Sequence, residues 1–350
     1  MKAKPRLALT VGDPAGIGPE VAAKALADPE ILSLADFVVF GDRRLWLLPS
    51  GESLARFPFC HTTIDHFRAA TATPSGVTLV EFPALDYAAM PLGRITPAAG
   101  EASIQYLLAA IAAVQAGRLD GVVTGPISKE AIHLAGYPWP GHTELFAEKF
   151  AAPDVAMMFA GGPFRVVLVT IHMSLADVLR TLSTEGILRT IRLADAALKK
   201  FFAIKLPRLG VCGLNPHAGE NGQFGDEEKR IIEPAIMMAR QHGIDATGPF
   251  PADTLFIKAL QGHYDLVVAM YHDQGLIPVK LLDFNGTVNL TLGLPIVRTS
   301  PDHGTAFDIV GKNKADPSSM KAAIQMAAAI AAQARARIAP PLEPPPSNPA

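Results

Sequence analysis

Cysteine is nearly absent from this chain. Cys60 and Cys212 are the only two, which leaves neither a disulfide framework nor a cysteine-rich metal site. Cys212 stands inside an apolar run and reads as core rather than as a nucleophile. Neither sign of charge prevails: Lys and Arg number 31 against 33 Asp and Glu, a formal net charge of -2. A surface so balanced offers no field to gather nucleic acid, and no basic stripe with interleaved aromatics runs through the sequence. Long apolar runs are missing as well. The basic N-terminus, Met1 to Arg6, is followed only by Leu7 to Val11 before Gly12-Asp13-Pro14 breaks the run. That is too short for a signal peptide or a membrane span. With no lipidation motif either, the expected location is the cytoplasm, with no membrane partner. There is no internal repeat and no coiled-coil register.

What is present is core-forming. Hydrophobic residues make up 49% and charged ones only 18%, a well-filled globular composition. A chain of 350 residues usually divides into two domains. Short apolar runs alternate with amphipathic segments, the signature of an α/β sheet. A first strand at 6–11 leads through a Gly/Pro-rich loop to a helix at 19–26 that Pro19 opens. Strands follow at 36–40 and 78–82. The helix expected at 98–116 carries Ile104, Leu107, Leu108, Ile111 and Val114 at three- and four-residue steps. Gly117 ends it, and a strand at 121–123 follows. Strands at 155–159 and 166–170 around Gly161-Gly162 form a hairpin, an antiparallel element that points to a second mixed sheet. Further helices are expected at 143–150, 174–180, 184–200, 226–242, 253–260, 305–311 and 317–333, with strands at 286–290 and 294–298.

Three apolar runs end in a histidine. Residues 165–171 lead into His172, 209–214 into Asn215-Pro216-His217, and 266–270 into Tyr271-His272-Asp273. Open α/β sheets place their chemistry at the carboxyl ends of strands, and a catalytic metal site takes three protein ligands with one position open. The three histidines lie 45 and 55 residues apart, too far for a local motif, so histidines simply hydrogen-bonded at strand ends are the alternative. Asp273 and Asp253 could accept from ring N–H groups.

Other residues invite a ligand. Thr143, after the turn Trp139-Pro140-Gly141-His142, could cap a helix, present an anion site at its N-terminus, or both. Lys280 on an apolar stretch suits a fixed positive charge or a proton donor. Arg298, like the nearby Asn289, could face a phosphate or carboxylate. The loop 12–18 contains neither G-x-G-x-x-G nor a P-loop, and Pro14 removes a donor, so a Rossmann fingerprint is rejected. The neutral loop Asp302-His303-Gly304-Thr305-Ala306-Phe307-Asp308 could receive the adenosine of a nucleotide.

Together these motifs resemble the 4-hydroxythreonine-4-phosphate dehydrogenase family of the vitamin B6 pathway. The matching stretches are 12–20, 124–129, 141–144, 215–220, 271–275, 286–289 and 302–306, and they cover about residues 6–335 in the family's order. The resemblance implies a three-layer α/β/α fold of two domains, similar to isocitrate and isopropylmalate dehydrogenases, with the active site in the interdomain cleft. The division it implies is 1–127 with 300–336 against 128–299, leaving 337–350 as a disordered proline-rich tail. It implies metal ligands at His172, His217 and His272 in a site shared across a homodimer, His272 being the one that crosses. It places substrate contacts on His142, Thr143, Lys280, Asn289 and Arg298, and proton transfer on Lys280 with His142 second. Cofactor contacts would fall on His303, Gly304, Thr305 and Asp308. NAD (or NADP) and one divalent ion, Zn²⁺, Co²⁺ or Mg²⁺, would serve the oxidation of a phosphorylated small molecule, 4-phosphooxy-L-threonine. Relatives of the same fold that oxidise D-threonate or D-erythronate 4-phosphate are the alternative.

Overall fold

The computed structural model describes residues 4–42, 60–71 and 75–338. The expected tail, but for its first two residues, lies outside the described residues. Twelve strands form one sheet: β1 Arg6–Thr10, β2 Asp36–Phe40, β3 Cys60–Thr63, β4 Val77–Glu81, β5 Gly121–Thr124, β6 Ala156–Gly161, β7 Phe164–Leu168, β8 Arg208–Cys212, β9 Asp245–Phe250, β10 Leu266–Ala269, β11 Val288–Leu292 and β12 Val297–Pro301. Their spatial order is β3-β4-β2-β1-β5-β12-β11-β6-β7-β10-β8-β9. The two flanks are parallel, while the β12-β11-β6-β7 centre is antiparallel. Among the parallel strands, β2, β5 and β10 read as near-continuous apolar runs that are buried almost throughout. β12 pairs with β5 on one side and β11 on the other, so the boundary expected between 299 and 300 falls inside a strand that joins both halves.

The helix Pro97–Gln115 is long and apolar enough to cross a bilayer. Ile104, Tyr106, Leu107 and Ile111 are buried within the main core instead, as the stepped pattern of the sequence requires. Thr96 caps it by accepting from the Ala99 N–H at 3.2 Å.

Three expectations are corrected. The helix at 305–311 does not form. Ala306 takes φ 41° and Gly311 φ 73°, and left-handed residues at these two positions prevent propagation of a right-handed helix. Turns held by Ile309 N–H to Ala306 C=O and Lys312 N–H to Ile309 C=O replace it. The helix expected at 226–242 opens as a π-helix, Glu228–Ile232, before continuing as Glu233–Gln241. Finally, a helix His272–Leu282 follows β10 where none was expected, because Gly275 and Pro278 stand within it. Gly275 lies so close to Leu168, Val166 and Ala269 that an added Cβ would come within 2.6 Å of Leu168. Packing on the sheet thus overrides local propensity.

Candidate active site

A cleft of about 550 Å³ opens over the antiparallel seam. Its floor is made by alternate residues of four strands: Thr124 of β5, Arg298 and Ser300 of β12, Asn289 of β11, and Met157 and Phe159 of β6. The register places Asn289 opposite both Phe159 and Ser300, so one row of side chains faces the cavity. The walls are the start of the helix His142–Lys149, Lys129, the loop 302–304, and the pair His172 and His272.

Arg298 lies at the bottom, 2% exposed. Its Nη1 donates to Thr291 Oγ1 at 3.1 Å and its Nη2 to Thr124 Oγ1 at 2.6 Å. Nε has no partner, and among the described residues no carboxylate lies within ion-pair distance. Burial pushes the guanidinium down to about 9, opposed only in part by Glu144. A buried cation without a counter-ion is costly and implies an anion to complete it. Above it stands a helix N-terminus without a side-chain cap. Gly141 occupies the capping position, two residues before Thr143, so Thr143 is no cap. The Thr143 hydroxyl is buried and unpartnered, and free N–H groups at a helix N-terminus favour anions.

Other cleft atoms share that condition. His142 Nε2, Thr143 Oγ1, Asn289 Oδ1, Arg298 Nε and His303 Nε2 are all shielded and all without a partner. These five atoms belong to residues lining the one cleft, whereas native proteins leave few such groups unsatisfied. Burial, then Arg298 and Lys129, hold His142 well below the usual histidine range, so its ring is neutral. A second hollow of about 470 Å³, between the β6–β7 hairpin and the helix Ser318–Ile338, is lined mainly by apolar and small residues.

The histidines divide into a pair and a single. His172 follows β7, His272 opens the helix after β10, and β7 and β10 are neighbours. Their ring centroids stand 5.6 Å apart. His272 Nδ1 donates to Asp273 Oδ1 at 2.7 Å, which leaves Nε2 with a free lone pair, the arrangement of a ligating imidazole. Asp253 takes no such part: its carboxylate accepts from the Thr254 N–H. Burial, Lys129 and His272 lower the His172 pKa, favouring the neutral form that a metal binds. His217 is not among the residues lining the cleft. It sits on a separate loop, its ring 6.3 Å from that of Phe224. Accordingly, no cluster of three metal-ligating side chains exists within the described residues of one chain.

Lys280 reaches the cleft through Asp302, which lines it. Nζ lies 2.8 Å from Asp302 Oδ2. His303 and Gly304 are brought into the cleft. Thr305 instead meets the 12–18 loop, its C=O accepting from Ile17 N–H at 3.0 Å. The main-chain oxygen of Asp308, within the turns, accepts from Lys312 Nζ. Lys129, Glu144 and Asp302 are cleft residues to which the sequence reading gave no role. All three stood in stretches already singled out, and only the fold shows that they line the cleft with His142 and His172.

The fold and the cleft therefore define an α/β enzyme built to hold a small anionic substrate beside a pair of imidazoles. The chain belongs to the family described as "Pyridoxal phosphate biosynthetic protein PdxA", whose pattern matches residues 33–327. It is 49% identical over 328 residues to a 4-hydroxythreonine-4-phosphate dehydrogenase of Geobacter metallireducens, covering 94% of this chain and 96% of that protein. It is 43% identical to a D-threonate 4-phosphate dehydrogenase of Pectobacterium atrosepticum, covering 93% of this chain and 99% of that one. The crystal structure of a Klebsiella pneumoniae 4-hydroxythreonine-4-phosphate dehydrogenase superposes with a TM-score of 0.81 at 42% identity, covering 94% of this chain and all of the other.

Proposed function

We propose that this protein oxidises 4-phosphooxy-L-threonine at C3 with NAD⁺ and decarboxylates the product to 3-amino-2-oxopropyl phosphate and CO₂. The observation that carries the reading is the set of four orphaned polar atoms gathered around a buried, counter-ion-free Arg298 whose own Nε is also unpartnered. A phosphate monoester supplies the missing charge and acceptors, and a polar substrate body satisfies the rest.

The residues present fit a divalent ion: two imidazoles side by side, one with its Nδ1 oriented by a carboxylate. His172 and His272 would hold it, and the chemistry it would supply there is that of an electrophile for the oxidation. The third imidazole is His217 of a second copy of the chain. With His272 already beside His172 in one protomer, His217 is the one left to cross, not His272. The loop His303–Gly304, with an orphaned ring nitrogen, fits the nucleotide of NAD, whose nicotinamide accepts the hydride.

The chain's own side chains then divide the work. Arg298, Thr143 and the open N-terminus of the helix His142–Lys149 hold the phosphate, which fixes the reacting carbon in place. Asn289 and the neutral His142 bind the substrate body. Lys280, its ammonium held by Asp302, delivers the proton to the carbon that loses CO₂, and His142 is the second candidate for proton transfer.

A second copy has a surface to meet. Leu175 and Leu179 on the helix Leu175–Thr181 and Ile277 and Leu281 on the helix His272–Leu282 are all more than half exposed. Leu175 also lines a hollow of about 410 Å³ that is lined by both histidines. A homodimer of a metabolic enzyme, working in the cytoplasm, follows from this reading.

The test is a side-by-side assay of 4-phosphooxy-L-threonine, D-threonate 4-phosphate and D-erythronate 4-phosphate with NAD⁺ and each of Zn²⁺, Co²⁺ and Mg²⁺. NADH should form fastest, by at least about 10-fold in kcat/KM, with the amino acid. Preference for a hydroxy acid would select the second reading, favoured by the D-threonate relative. Product without NADH would defeat both.

A further inference from the structure

Among the described residues, the loop that carries His217 has an unusual backbone. His217, Ala218, Gly219, Glu220 and Asn221 all take positive φ, at 53°, 51°, 78°, 42° and 58°. Only one of the five is glycine, so the turn stands in a region that L-residues avoid. It must be held from outside. Directly after it comes the π-helix Glu228–Ile232, itself a rare form found most often at functional sites.

The hold is Glu228, buried at 3% exposure. Its Oε1 accepts from the backbone N–H groups of Leu214 and Asn215, each at 2.8 Å, and its Oε2 from Asn215 Nδ2 at 3.0 Å. Burial raises the pKa of this carboxyl, but the hydrogen bonds from Asn215 and Leu214 outweigh burial and bring it below the ordinary value. Glu227 Oε2 accepts from the same Asn215 amide at 2.7 Å, and Lys229 Nζ donates to Asn221 C=O at 2.6 Å. Three successive side chains thus grip both ends of the left-handed turn. Gly219 packs against the same carboxylate, where a Cβ would come 2.6 Å from Oε2. Gln274 ties the loop to the other imidazoles: its Nε2 donates to Gly213 C=O and its Oε1 accepts from Met270 N–H, both at 2.7 Å.

We propose that Glu228 is a positioning residue for the metal site: through Asn215 it fixes the left-handed turn that presents His217. The proposal rests on the reading of His217 as the third ligand. A ligand that comes from another chain has no local motif to order it. Unless its loop is ordered beforehand, the entropy lost on binding is taken out of metal affinity. Glu228 orders it in advance.

The test is Co²⁺ titration of the metal-free full-length protein, followed by calorimetry and by the visible spectrum of the bound ion, for wild type, Glu228→Gln and His217→Ala. Glu228→Gln keeps one oxygen for the Leu214 and Asn215 N–H groups but turns an NH₂ toward the Asn215 amide. It should fold, as judged by its melting curve, and its Co²⁺ Kd should rise about 10- to 100-fold, the range for residues that orient ligands. The Co²⁺ spectrum should change with it, and amides 214–221 should exchange faster with deuterium. Restoring an acceptor-only side chain one methylene shorter, Glu228→Asp, should recover part of the affinity. If His217→Ala weakens binding while Glu228→Gln leaves Kd and spectrum unchanged, the anchor role is overturned and the ligand reading stands. If His217→Ala itself leaves Kd unchanged, the ligand reading falls and the anchor role with it.

Discussion

Replacing Arg298 by Met separates stability from function, because the two should move in opposite directions. The guanidinium is fully buried with two threonine hydroxyls as its hydrogen-bond acceptors. A fall from 12.5 to about 9 corresponds to roughly 5 kcal/mol of lost solvation for the cation. Against this, Arg298→Met removes two hydrogen bonds worth about 1 kcal/mol each and leaves two hydroxyls that can turn elsewhere at about 1 kcal/mol apiece. Met nearly fills the volume and packs on Phe146, whose ring lies under the guanidinium. The variant should be more stable by about 1–2 kcal/mol, a rise of a few degrees in melting temperature by scanning fluorimetry. Its kcat/KM should fall by about 10²- to 10³-fold or more, as expected when a charge-assisted contact to a buried phosphate is lost. Inorganic phosphate, which should raise the melting temperature of the wild type, should leave that of the variant unmoved. A variant that melts lower yet keeps its KM would show Arg298 to be a structural strut, and the anion reading of the cleft would collapse.

Two further outcomes follow from other parts of the molecule. Asp13 is fully buried with one oxygen bound to Ala15 N–H and the other unpartnered, and burial raises its pKa from 3.8 to about 6. A carboxyl whose folded pKa is raised contributes stability that is complete below about 3.8 and is lost as pH climbs through about 6. Asp13→Asn should therefore stabilise by up to about 3 kcal/mol at pH 8 and by about half as much at pH 5, read from urea midpoints; an equal gain at both pH values would mean the carboxyl is not the cause. At the face beside the histidine pair, Leu175 is 66% and Leu281 82% exposed. Leu175→Glu with Leu281→Glu should convert a dimer to monomers in sedimentation velocity and weaken Co²⁺ binding by removing the partner's ligand. Unchanged sedimentation with unchanged affinity would place the interface elsewhere.

Much of this protein could be read from its residues alone. The alternation of apolar runs with stepped helices fixes an α/β sheet, because burial periodicity is a local property of the chain: β1, β2, β5 and the β6–β7 hairpin appear where the runs stand. The chemical inventory was equally local. Histidines at three strand ends, Thr143 after a Gly turn, and Arg298 within β12 were each recognisable by type and position. What a sequence does not contain is which of these share a space. That His172 and His272 face each other follows from β7 and β10 being neighbours 100 residues apart in the chain. That Arg298 lacks a counter-ion depends on which strands surround it. The helix His272–Leu282 and the lost helix at 305–311 were decided by contact as well, Gly275 against Leu168 and Thr305 C=O against Ile17 N–H. The left-handed turn at 217–221 is the extreme case. Local energetics disfavour it at nearly every residue, and it exists because a carboxylate eleven positions on, folded back by a π-helix, holds it in place.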